Sequence, residues 1–224
     1  MSDHKTWLDA EYRDWSEALT IRSLRDFREH PSVLRMMGGI DDGVFDHLTP
    51  ELHPTVWGYV DAVDSIGFSQ APPTRTGLIL RLLFYAINVL ERQPPSIIEI
   101  GGAVGHFLAL LVALGWRGEY TCHDLPAVSK FRETFLGEVE ARTGLPTRRP
   151  AVTGPPFPFV CSFYALGEFD DETKARYIND VVLKSDHGLV VWNPHSGASP
   201  EIGFPCHVEI ECPLTGLGNK LLTW

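Results

Sequence analysis

Apolar positions in the N-terminal part of the chain recur at the spacing of helices. Between residues 7 and 19, large apolar side chains stand at i, i+4 and i+7 intervals, which is typical of an amphipathic helix. Further helices are predicted over about 23–37, 54–66 and 78–90. The last of these is strongly apolar and is stopped by Pro94 and Pro95. We therefore predict a helical N-terminal cap, or substrate region, over residues 1–92.

The pattern changes after residue 92, where short β-branched runs begin to alternate with helical stretches. Strands are predicted over 96–100, 120–123, 159–164 and 188–192, with weaker ones at 208–210 and 220–224. Helices are predicted between them over 104–114, from Pro126 to Gly144, and from about Asp170 to Leu183. Alternation of this kind favours a parallel sheet flanked by helices. Residues 93–224 are thus predicted to form an α/β domain.

Composition narrows the classes of function. Hydrophobic residues make up 44% and charged residues 21% of the 224 residues, as in an ordinary globular chain. The net charge of −10 disfavours nucleic acid and anionic membranes as partners. Phe107–Leu114 is the longest apolar run, far short of the roughly 18 residues that a membrane span needs. With no apolar signal core at the N-terminus, we expect a cytoplasmic protein.

Cysteines and acidic pairs give no signal for a metal site. The four cysteines lack CxxC spacing, and two of them fall in strand-like runs, so reduced buried thiols are favoured over a disulfide or zinc site. The pairs Asp41-Asp42 and Asp170-Asp171 also lack ligand spacing and are explained by loops and helix starts. We therefore expect no metal.

The strongest chemical signal is a strand that runs into glycines. Residues 97–105 read IIEIGGAVG, and a helix follows them. Glycines there let the main chain turn tightly and approach a ligand, while the helix start presents N–H groups. A nicotinamide dinucleotide fingerprint requires glycine at 101, 103 and 106, but Ala103 and His106 stand at two of these positions. A ligand without a pyrophosphate is therefore favoured.

Two acidic residues flank this turn. Asp124 lies 23 residues after Gly101, at the end of the second predicted strand, where a carboxylate in a doubly wound fold can bind ribose hydroxyls. Glu99 lies two residues before Gly101 and would suit a cationic ligand. S-adenosyl-L-methionine has an ammonium, a sulfonium and a ribose, and the pattern favours it as the cofactor. The alternative is a strand-to-helix turn that binds nothing.

These residues resemble a known family. The run 98–105 and the following Asp124-Leu125-Pro126 look like the Rossmann-like methyltransferases that use S-adenosylmethionine, and residues 162–168 and 188–193 are similar to the sugar O-methyltransferases among them. The resemblance covers about residues 96–195. It implies a Rossmann-like sheet and a cofactor site. The site residues it implies are Glu99, Gly101, Gly102 and Gly105 for the methionine part, Asp124 and Leu125 for the ribose side, and Ser162, Phe163 and Tyr164 beneath the cofactor.

The chain also departs from this family. Ala103 replaces the usual third glycine, and no acid lies between residues 143 and 161 to contact an adenine. In related plant O-methyltransferases with a similar Asp-Leu-Pro motif, a histidine base stands where this chain has Gly167. These departures leave open a non-catalytic module that binds S-adenosylmethionine and regulates a partner. A nicotinamide-dependent oxidoreductase is a weaker alternative.

Methyl transfer to a hydroxyl requires positioning and a base. An aliphatic hydroxyl is a weak nucleophile, so a general base should lie within hydrogen-bond reach of it. His195, after the strand 188–192, and Glu168 are the two candidates; the competing interpretations are an exposed loop histidine and a solvated acid before a helix. The sequence thus predicts an O-methyltransferase for a small hydroxylated acceptor, a sugar or a glycosylated metabolite. Aromatic side chains of the N-terminal helices could line its pocket or a homo-oligomer interface.

Overall fold

The structure, a computed structural model, describes residues 72–193, 205–211 and 218–224, together with Gly58 and Gly203. The helices predicted before residue 72 lie outside this part of the chain, and so does His195. The boundary at residue 92 between a cap and an α/β domain therefore stays a prediction.

The described chain alternates helices and strands in the predicted order. In sequence, its elements are α1 (Pro72–Glu91), β1 (Ser96–Ile100), α2 (His106–Ala113), β2 (Glu119–His123), α3 (Pro126–Thr143), β3 (Phe157–Phe163), α4 (Ala165–Glu168), α5 (Asp171–Asp180), a 3-10 turn (Val182–Lys184), β4 (Ser185–Trp192), β5 (His207–Ile210) and β6 (Lys220–Thr223). The predicted α/β class with a Rossmann-like sheet flanked by helices is confirmed. The four-residue α4 is the one described element that the periodicity did not indicate.

The six strands form one mixed sheet in the order β2-β1-β3-β4-β6-β5. The first four strands in this order are parallel, whereas β6 runs antiparallel to β4 and to β5. The prediction of a parallel sheet is therefore wrong for β6, whereas β5 points along the first four strands and pairs antiparallel with β6. Only residues 211–219 connect β5 to β6, and a parallel pair needs a longer crossover.

Two hydrophobic layers cover the two faces of the sheet. Side chains alternate along each strand, so Ile97 and Val191 belong to one layer, and Ile98 and Val190 to the other. The first layer is completed by α1, α2 and α3, and every residue of α2 is buried. The second is completed by the end of α5 and the 3-10 turn. This doubly wound arrangement leaves the strand ends as the edge where a ligand can approach.

Local signals explain the helix boundaries. Pro126 begins α3 and Gly144, with φ 70°, ends it, as the sequence predicts. The helix after β1 begins two residues later than predicted, because Gly105 has the left-handed φ of 92° and acts as its N-cap.

The predictions about a membrane span and about the cysteines concern, in part, residues that the structure describes. No helix there is both long and apolar enough to cross a membrane. Three of the four cysteines lie in this part, Cys122, Cys161 and Cys206, and all three are free thiols. Cys212 lies outside it.

Candidate functional site

The glycine turn lies where the chain changes direction across the sheet. β1 stands between β2 and β3: the chain passes from β1 to β2 on one side of it and returns later to β3 on the other, so the strand order reverses at β1. Within the turn, Gly101, Ala103 and Gly105 all have positive φ, at 76°, 46° and 92°. The N–H of Gly101 donates to the carbonyl oxygen of His123 at 2.8 Å, which joins the turn to the end of β2.

The glycines of the turn are required by close packing inside the protein. A Cβ at Gly101 would lie 2.1 Å from the Cβ of Ala165, at the start of α4. A Cβ at Gly102 would lie 2.5 Å from Oε2 of Glu99. From the sequence, we expect these glycines to let the main chain approach a ligand. The structure adds that their missing side chains make room for neighbouring parts of the chain.

Asp124 is held against the turn. Its Oδ2 accepts a hydrogen bond from the N–H of Ala103 and its Oδ1 accepts one from the N–H of Leu125, both at 2.8 Å. Nη1 of Arg132 lies 3.6 Å from Oδ2, and both side chains are 11% exposed. Burial raises the pKa of the Asp124 carboxyl, whereas these hydrogen bonds and the guanidinium act in the opposite direction. The carboxylate is thus fixed between the ends of β1 and β2.

Glu99 lies beneath the turn. It is 2% exposed and accepts a hydrogen bond from the hydroxyl of Tyr120 at Oε2. Burial raises the pKa of Glu99 to about 8; the Arg132 guanidinium opposes this, and the Asp124 carboxylate adds to it. The carboxyl group is therefore mostly protonated at neutral pH, and it supports the turn from inside the protein.

Arg132 is a candidate site residue that the sequence analysis missed. Besides facing Asp124, its Nη1 donates to Sγ of Cys122 at 3.1 Å and its Nη2 donates to Oγ of Ser129 at 3.2 Å. Its side-chain carbons lie 3.0 and 3.1 Å from the position a Cβ would take at Gly105. An arginine two turns into the helix that follows the acid was the available signal.

The segment that ends β3 is used largely by the fold itself. The hydroxyl of Ser162 donates to the carbonyl oxygen of Ile100 at 2.9 Å and accepts from the N–H of Leu166 at 3.1 Å. Phe163 stacks on Tyr85 with ring centroids 5.2 Å apart. Tyr164 has a positive φ of 73°, which is rare for a bulky residue.

One predicted base is described and the other is not. Glu168 lies in α4 and accepts a long hydrogen bond from Nδ2 of Asn193, at 3.4 Å. A Cβ at Gly167 would lie 2.7 Å from the carbonyl oxygen and 3.0 Å from the nitrogen of Asn193. The main chain after β4 therefore leaves no room for a histidine at position 167. His195 lies outside the described residues.

A second buried acid, Glu211, was also missed. It follows β5, is 1% exposed, and accepts hydrogen bonds at Oε1 from the hydroxyls of Tyr85, at 3.0 Å, and Tyr164. Its Oε2 accepts from Nδ2 of Asn219 at 2.9 Å. These groups come from α1, the end of β3, and the two ends of the link between β5 and β6. Nothing in the local sequence pattern marks such a contact.

The described residues include no group of three or more histidine, cysteine or acidic side chains that could hold a metal ion.

Among known proteins, the matches to this chain are solved structures of similar fold. No protein-family model matches the chain, and no curated protein matches it. An O-methyltransferase from Bacillus cereus, solved with S-adenosylhomocysteine, is 12% identical with a TM-score of 0.49 and covers 85% of this chain and 98% of its own. Magnesium protoporphyrin IX methyltransferase from Synechocystis, solved with S-adenosylmethionine, is 14% identical with a TM-score of 0.48, covering 92% and 95%. Mitomycin 7-O-methyltransferase is 12% identical with a TM-score of 0.46, covering 95% and 66%.

Proposed function

We propose that this chain binds S-adenosyl-L-methionine at the carboxyl edge of the sheet and transfers its methyl group to a hydroxyl of a small acceptor. The observation that carries the proposal is the carboxylate of Asp124, fixed by the N–H of Ala103 at the point where the strand order reverses. In doubly wound folds, ligands bind outside the carboxyl ends of the strands at such a point.

The donors and acceptors at this edge suit a nucleoside. Each oxygen of Asp124 accepts one main-chain hydrogen bond, and a carboxylate has about four acceptor positions, so capacity is left for ribose hydroxyls. Leu125, the next residue, is 41% exposed, which offers an apolar surface for the rest of the nucleoside. We assign the ribose side of the cofactor to these two residues.

The methionine side would be held by the turn, with Gly101, Gly102 and Gly105 supplying main-chain groups. Glu99 is buried and mostly protonated, so we assign it to supporting Gly102 from beneath instead of pairing with the cofactor's ammonium group. Two of the three residues predicted to lie beneath the cofactor make contacts within the protein itself. Ser162 and Phe163 would keep the end of β3 in place beneath the cofactor, while Tyr164 would lie beside the acceptor.

When bound, the cofactor supplies a methyl group on a positively charged sulfur. The chain's own part is to orient the acceptor hydroxyl and to remove its proton. Glu168 and His195 stay candidates for that base. A sugar or glycosylated metabolite is the acceptor we propose, on the likeness of residues 162–168 to sugar O-methyltransferases.

A regulatory module that binds the cofactor without turnover is the second candidate. The observation that favours it is the contact between Gly167 and the main chain of Asn193, which excludes a histidine base at that place. This candidate shares the cofactor site and differs only in the absence of transfer.

Binding and transfer can be measured separately. Isothermal titration calorimetry with S-adenosylhomocysteine, and with NADH as a comparison, tests the cofactor site. Incubation with S-adenosylmethionine labelled in its methyl group and a panel of monosaccharides, glycosides and phenols tests transfer. Binding of S-adenosylhomocysteine with labelled product supports the enzyme, and binding without product on any acceptor supports the regulatory module. Saturable binding of NADH alone would overturn both.

A further inference from the structure

We propose that Tyr164 and Glu211 form the acceptor side of this site, with the Tyr164 hydroxyl receiving the proton of the acceptor hydroxyl and passing its own proton to Glu211. The inference rests on the proposed methyl transfer and gives it a route for the proton that neither Glu168 nor His195 is needed to provide.

Tyr164 lies next to the cofactor turn. It directly follows β3, the neighbour of β1, and the residue after it, Ala165, is the one whose Cβ fills the space in front of Gly101. Its N–H donates to the carbonyl oxygen of Val191 at 2.9 Å, which fixes its main chain at the end of β4. Tyr164 is therefore one residue away from a direct contact with the turn to which we assign the methionine part.

Glu211 reaches the same edge from the other end of the sheet. Because β6 is antiparallel to β4, Lys220 pairs with Trp192, so Asn219 and Glu211 stand at the carboxyl ends of the parallel strands. The hydroxyl of Tyr164 donates to Oε1 of Glu211.

The environment of Glu211 suits a proton acceptor. An ionised carboxylate carries acceptor positions only, and Glu211 accepts hydrogen bonds from Tyr85, Tyr164 and Asn219. A buried carboxylate is costly unless such bonds hold it, so a purely apolar contact would have been the simpler way to join α1 to β3. The hydroxyl of Tyr164 joins this acid to the residue that directly follows β3, as a relay requires.

The backbone of Tyr164 points to the same role. Its φ of 73° is a conformation that bulky residues rarely adopt, and such strained residues concentrate where a side chain must be held for function. Here the strained residue is the one whose hydroxyl bonds to Glu211.

In the proposed step, the acceptor gains the methyl group and loses its hydroxyl proton. The acceptor oxygen forms a bond to the methyl carbon, and the bond between that carbon and sulfur breaks with its electron pair remaining on sulfur. The acceptor's proton moves to Oη of Tyr164 as the phenolic proton moves to Oε1 of Glu211. Tyr164 ends the step neutral and Glu211 ends it protonated; Glu211 then releases its proton to water after the product has left.

Two substitutions test the relay. We expect Tyr164→Phe and Glu211→Gln to lower kcat for transfer from labelled S-adenosylmethionine about 100-fold, a typical value for loss of a general base. The Kd for S-adenosylhomocysteine should stay within about threefold of wild type in both. The acceptor used is the best one in the panel described above.

Tyr85→Phe is the matched control, because it removes a hydroxyl from the same oxygen of Glu211 without interrupting the path from the edge. We expect it to lower the melting temperature about as much as Tyr164→Phe but to reduce kcat about tenfold less than Tyr164→Phe does, because the Tyr85 hydroxyl bonds the proton-accepting oxygen without lying on the proton path. If Glu211→Gln does not fold, Tyr164→Phe still decides, since Tyr85 and Asn219 then continue to hold Glu211.

The results separate this inference from the proposed function. Wild-type transfer with kcat retained in Tyr164→Phe overturns the relay alone, and so does an equal loss of kcat in Tyr164→Phe and Tyr85→Phe, which would mark a structural network. Wild-type protein that binds S-adenosylhomocysteine but methylates no acceptor overturns the transferase and the relay together.

Discussion

Replacement of Glu99 by glutamine should change how the protein's stability depends on pH. Burial raises the pKa of Glu99 from its ordinary 4.5 to about 8. Between these values the folded protein keeps the proton while the unfolded chain releases it, so protons favour folding. The stabilisation is complete below pH 4.5 and decreases as the pH rises to about 8. Glutamine has nearly the same shape and does not titrate.

The magnitude follows from the interval between the two pKa values. Each pH unit corresponds to about 1.4 kcal/mol, so the wild type should lose roughly 5 kcal/mol of unfolding free energy relative to Glu99→Gln between pH 4.5 and 8. Since the group is completely buried, water does little to reduce this figure.

Urea unfolding of wild type and variant at pH 5 and pH 8.5 measures the effect. The difference in unfolding free energy, variant minus wild type, should increase by several kcal/mol at the higher pH. Glu119→Gln is the matched control, because it makes the same chemical change at an exposed position that begins the neighbouring strand β2. A Glu99→Gln difference that is equal at both pH values, within about 1 kcal/mol, would refute the reasoning.

Two other substitutions test the support of the turn, again by urea unfolding. Gly101→Ala should destabilise the protein by about 2–5 kcal/mol, because it combines a φ of 76° with a Cβ overlapping Ala165. Gly137→Ala is the control: this glycine lies in open space within α3, so alanine should stabilise the protein by about 0.5–1 kcal/mol. Equal changes in unfolding free energy for the two variants would contradict the packing argument. Arg132→Met should cost about 3 kcal/mol and weaken binding of S-adenosylhomocysteine, because it leaves Asp124 without its cation. Arg142→Met removes an exposed pair on the same helix and should stay within about 0.5 kcal/mol; an Arg132→Met variant as stable as this control would show that the buried pair does not hold the turn.

The sequence predicted the first four strands and their helices because local signals determine them. Strand β1 is buried on both faces, so it appears in the sequence as the continuous, mostly β-branched run 96–100. Pro126 and Gly144 determine the two ends of α3 through their own backbone preferences. The reversed direction of β6 depends instead on the short 211–219 link to β5 and on pairing with β4, neither of which periodicity reports.

Some residues of the candidate site could likewise be proposed from the sequence, and others could not. Asp124 could be proposed as a site residue because its distance from the glycine turn is a property of one strand-helix-strand unit. The partners of Glu211 could not, because the hydrogen bond from Tyr85 joins residues 126 positions apart. Gly167 was noted as the place of a missing histidine, but the reason, contact with the main chain of Asn193, is visible only in three dimensions.

The central claim is that the carboxylate of Asp124 binds the ribose of the cofactor. Calorimetry with S-adenosylhomocysteine and its 2′-deoxy analogue, on wild type and Asp124→Asn, tests it as a two-by-two cycle in which effects of the substitution on the turn cancel. A hydrogen bond to a charged group predicts that removing the 2′-hydroxyl weakens binding to wild type about 10- to 100-fold and binding to the variant by much less. An equal loss in both proteins, or no binding of S-adenosylhomocysteine to the wild type, would contradict the account.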